Sequence, residues 1–135
     1  MRGLPTKKRI VIVRSMCQKV EQAHRTQTEG EYNDAAARLY GRLRQTWERA
    51  LEEVLLGDVV QRFRQSIETQ RLKGLDDITP ADLSTVKDGM DKSSKWEGGH
   101  DHALAVNEPF PPPDEIKADI DVLEQWVAAV RKRRQ

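Results

Sequence analysis

The sequence is poor in the residue types that announce a chemistry. Of 135 residues one is cysteine, Cys17, which excludes an internal disulfide and a four-ligand zinc ribbon and fits a reducing compartment. Aromatics are 5% and hydrophobic residues 37% against 33% charged, so any core is thin. No run approaches the roughly 18 apolar residues of a membrane span, and Ile10 to Val13 is too short for a signal-peptide core. These absences predict a cytoplasmic protein with no membrane partner. Charge of one sign is lacking too: 23 Lys plus Arg offset 22 Asp plus Glu, so bulk electrostatics does not mark a nucleic-acid binder. There is no P-loop, dinucleotide-binding glycine motif, metalloprotease motif, EF-hand loop or CxxC pair. ATPase activity by this chain alone is therefore not expected, nor is a cofactor or a bound metal.

What is present is helical periodicity. Ile10, Val13, Cys17, Val20 and His24 form a stripe, with Ile10 to Val13 alternatively readable as an unpaired strand. Thr26 to Gly30 reads as a stop. Tyr40, Leu43, Trp47, Ala50 or Leu51, and Val54 define the clearest helix, with Asn33 or Asp34 able to cap it and Gly57-Asp58 ending it. Val59 to Leu72 favours another helix. Thr79-Pro80-Ala81-Asp82 supplies a cap, an N1 proline and a first-turn carboxylate for a helix from Pro80 to about Lys92, with Leu83, Val86 and Met90 inward. Residues 93 to 113 read as a loop, stiffened by Pro109 and Pro111 to Pro113. From about Pro113 the stripe Ile116, Ile120, Leu123, Val127, Val130 runs with Trp126 beside it, into Arg131 to Arg134, a basic end suited to a helix C-terminus. The expected fold is all-α: residues 1 to 135 as one antiparallel bundle of about four to five helices, with a Pro-rich loop before the last.

Few polar residues are candidates for chemistry. Arg44 and Glu48 stand four apart: either a surface ion pair, or a cleft guanidinium held by its carboxylate to grip phosphate. His100-Asp101-His102 follows Gly98-Gly99 and reads as a solvated loop, with His100 capping the preceding helix, or as the place of a catalytic imidazole. Trp47, Trp96 and Trp126 read as core anchors rather than stacking platforms. Lys7 to Arg9 and Arg131 to Arg134 read as solvated ends, or as weak nucleic-acid contacts.

Tyr40 to Ala50, with Glu52 to Leu55 and Val60 to Arg64, resembles the C-terminal helical region of large bacterial coiled-coil-containing P-loop ATPases related to the anticodon nucleases of phage defence. Ile78-Thr79, Ser94 to Asp101, and Pro113 to Ile116 through Trp126 extend the resemblance over most of the chain. It implies the C-terminal part of such an ATPase, or a truncated copy, whose motor lies elsewhere. By the same resemblance Arg44, Glu48 and His100 are the catalytic residues of a metal-independent ribonuclease: His100 moves the proton of a ribose 2′-hydroxyl, Arg44 stabilises charge on phosphorus, and Glu48 holds Arg44. RNases of the related helical superfamily place an arginine four to six residues before the histidine, whereas here Lys95 stands there. The alternative is a non-catalytic interaction module that packs on an ATPase head or another partner protein. RNA as a partner and self-association remain open.

Overall fold

A computed structural model describes residues 4–57, 78–98 and 108–134, and all regular structure among them is helical. Helix α1 is Thr6–Thr26, α2 is Glu29–Ala50, α3 is Pro80–Glu97 and α4 is Pro113–Arg133; a π-helical segment, Leu51–Gly57, extends α2. The expected helix over Val59 to Leu72 lies outside the described residues.

Local chemistry fixes the starts of α2 and α3. Ile10, Val13, Cys17 and Val20 are buried along α1, so the run at Ile10 is one helix face and not a strand. His24 leaves the stripe; Ala23 is buried in its place, and the imidazole meets the Tyr32 ring edge-on at 5.0 Å. The cap of α2 is neither Asn33 nor Asp34. Thr28 accepts from the Glu31 N–H while the Glu31 carboxylate accepts from the Thr28 N–H, a capping box that satisfies two amides and carries Gly30 inside the first turn. Thr79 and Asp82 form the same box at α3, with Pro80 at N1 as its sequence demands. Helix α3 runs on to Glu97, past the expected end at Lys92.

The bundle is up-down-up-down. Thr6 donates to Glu53, Trp47 packs on Gly89, Lys92 reaches Asp119 and Arg14 reaches Asp121, so α1 with α2, α2 with α3, α3 with α4 and α1 with α4 are each antiparallel. The diagonal pair α2 and α4 is parallel and in constant register. Tyr32 donates to the Pro111 carbonyl, Tyr40 to Asp119, Trp47 lies 5.7 Å from Trp126, and Arg134 donates to the Val54 and Leu55 carbonyls. Two helical turns are about 7.2 residues, so positions spaced seven or eight apart stay on one face and each rung repeats the last. Between the rungs lie Leu43, Ala50 and Val54 with Ile116, Ile120, Leu123, Val127 and Val130, all buried as the α2 and α4 stripes predict, together with Leu39, which the predicted stripe lacked.

Helix α3 departs from its predicted face. Leu83 is 53% exposed and Met90 only half-buried, while Asp82, Val86, Ser93 and Trp96 are buried. The inward positions 82, 86, 89, 93 and 96 keep the three-and-four spacing but include Asp, Gly and Ser. The basic end of α4 is no solvated tail either. Arg131 pairs with Glu53, Arg133 with Asp82, and Arg134 supplies donors to two carbonyls at the end of α2, where a helix leaves acceptors unfilled.

Candidate functional site

Arg44 leaves α2 where the C-terminus of α3 crosses it. Gly41, one turn earlier, makes room: a Cβ there would stand 3.0 Å from Glu97 Oε2. Glu97 Oε1 accepts from Arg44 Nε at 2.9 Å, and Glu48 Oε2 accepts from Nη1 at 3.2 Å. The bond from Glu97, helped by its charge, holds the guanidinium above its ordinary pKa. One cation thus faces two carboxylates. All three side chains are partly exposed, so each pair contributes about 0.2–1 kcal/mol.

Of the three sequence-derived site residues, the structure brings Arg44 and Glu48 together, as their spacing requires. His100 lies outside the described residues, as do Asp101 and His102. The sequence reading missed Glu97: its partner is 53 positions away, and no local pattern announces it. The chain segments flanking residues 99–107 meet at this end of α3, where Trp96 stacks on Phe110 with centroids 4.9 Å apart and Lys95 pairs with Glu108.

Beside Glu97 an open groove of about 650 Å³ runs along α2, lined by Met16, Arg38, Gly41, Arg42 and Gln45 among others. Arg38 and Arg42 are exposed there and in no ion pair among the described residues. No known family model, curated protein or solved structure matches this chain.

Its chemical range is narrow. No group of three or more His, Cys, Asp or Glu capable of holding a metal occurs among the described residues. Cys17 is buried and its thiol pushed up, first by burial, which makes it a poor nucleophile. No helix among the described residues is long and apolar enough to cross a membrane.

Proposed function

We propose that the chain is a non-catalytic helical accessory domain that packs on the head of a P-loop ATPase, with Arg44 as a strut and not a phosphate grip. The observation carrying this is the charge balance at Arg44. Glu48 and Glu97 put two carboxylates on the one guanidinium, and a phosphate must displace them from Nη1 and Nε before Arg44 can grip it. The ATPase partner comes from the sequence resemblance. The internal use of Arg131, Arg133 and Arg134 also weighs against a DNA-binding adaptor built on that end.

A second reading, the RNA-cleaving effector, draws on different observations: Arg44 and Glu48 are in contact, Glu97 stands three positions before His100 in sequence, and Arg38 and Arg42, in no ion pair among the described residues, supply positive charge nearby. Cross-linking and mass spectrometry in the native host, followed by RNA cleavage assays on the captured ATPase assembly, separate the two. The accessory reading expects cross-links from this chain to a P-loop ATPase, and no difference in RNA integrity between parent, Arg44→Ala and His100→Ala. Cleavage by the parent that either folded variant abolishes overturns it in favour of the effector.

A further inference from the structure

A second cavity, of about 280 Å³, opens between α2, α3 and α4, and no role assigned above uses it. For scale, a cavity of about 150 Å³ admits benzene. Leu43, Trp47 and Val122 give it apolar walls, and Gly89 lets the Trp47 ring that forms one of them pack directly on the α3 backbone. Val122, 48% exposed, stands at its mouth.

Its polar groups are arranged unevenly. Ser93 lines the cavity at 1% exposure, and its Oγ has no hydrogen-bond partner. A helical serine ordinarily returns that hydroxyl to the carbonyl four residues back; Thr46 and Thr26 do so in this molecule, and Ser93 does not. Asp119 accepts from Tyr40 at 2.6 Å and from Lys92 at 2.9 Å, and Lys92 also donates to Glu115 at 2.6 Å. Asp88 adds a carboxylate to the lining and makes no ion pair among the described residues. Two carboxylates thus hold the Lys92 ammonium, and the lining itself carries Asp88 and Asp119 against Lys92, a net negative charge beside the aromatic residues Tyr40 and Trp47.

We infer that this cavity is a binding site for a small organic ammonium ion with an aromatic or branched apolar body, the body against Trp47 and Leu43 and the ammonium toward Asp119, Asp88 and the Ser93 hydroxyl. A carboxylate-bearing ligand of the same shape is disfavoured by the net negative lining, and a neutral one forgoes the charge-assisted contact.

The test titrates the isotope-labelled protein with three probes of one shape, 2-phenylethylamine, 2-phenylethanol and phenylacetate, following the Trp47 indole and the Gly89 and Ser93 amides by NMR. Saturable shifts with the amine are expected, with affinity roughly tenfold above the alcohol and no saturation by the acid. Two variants guard against a structural artefact. Ser93→Ala removes an unpartnered buried hydroxyl, so thermal stability holds or rises while amine affinity falls several-fold. Val122→Phe plugs the mouth from an exposed position and abolishes the shifts while the remaining spectrum is kept. Absence of saturation by all three probes, meaning a cavity that holds water only, overturns the inference; so does acid binding as well as amine, or amine affinity unchanged in both variants.

Discussion

Asp82 shows how one residue can serve two helices through three partners. Its carboxylate closes the capping box of α3, accepts from Trp126 Nε1 at 3.1 Å, and takes both terminal nitrogens of Arg133, at 3.2 and 2.6 Å. Burial pushes the carboxyl up, but the bonds from Arg133, the Thr79 N–H and Trp126 more than offset this and bring it down to about 2 from 3.8. The folded-state value lies below the unfolded one, so the stabilisation is present above about pH 4 and is lost as pH falls toward 2. The shift corresponds to about 2 kcal/mol. Glu53 acts in the same direction: burial raises it, and the Thr6 bonds and the charges of Arg49 and Arg131 lower it further than that. Urea unfolding between pH 5 and 2 is expected to show the loss in the parent and a flatter profile in Asp82→Asn, which starts lower because the negative charge facing Arg133 and one of the two acceptor oxygens are lost. An equal acid slope in both proteins would place the titration elsewhere.

At the scale of the helix, α2 and α4 were legible and α3 only half so. Tyr40, Leu43, Trp47 and Val54, and Ile116 through Val130, repeat apolar side chains at helical spacing, and burial follows the repeat. Helix α3 hides its inner face because that face carries Asp82, Gly89 and Ser93; Asp82 answers Arg133 and Trp126, Gly89 makes room for the Trp47 ring, and Ser93 lines the cavity. An apolar count therefore chooses Leu83 over Asp82 and rotates the helix wrongly. Thr79-Pro80 still marked where it begins. The same limit applies at the site, where the i,i+4 pair Arg44–Glu48 is visible in one helix and Glu97 is not. Gly89 makes the point testable. In an exposed helix Gly→Ala gains about 1 kcal/mol, but here the new methyl must displace a buried indole, which costs about 1–3 kcal/mol or more. Gly89→Ala should therefore lower the urea midpoint, and a rise would show that Trp47 yields freely.

Across the whole molecule, the rungs that join α2 to α4 connect residues 79 or 80 positions apart, whereas α1 and α2 meet through a turn of two residues, Gln27 and Thr28. The difference sets an order of assembly in time. Closing the span from His24 to Tyr32 leaves far less chain freedom to surrender than closing that from Trp47 to Trp126, by about 2 kcal/mol on a logarithmic loop law. The α1–α2 hairpin is thus the natural nucleus, and α4 docks onto a surface that already exists. Stopped-flow kinetics would read this directly. Thr28→Ala, which strips the capping box and costs about 1 kcal/mol, should slow refolding and leave unfolding nearly unchanged. Val127→Ala, on the late-docking helix, should chiefly hasten unfolding. The reverse pattern would make α4 part of the nucleus. With the nucleus at the hairpin, the register of the diagonal pair is chosen last, when α4 slides into place along a finished α2, so errors of one helical turn are a late and reversible trap rather than an early commitment.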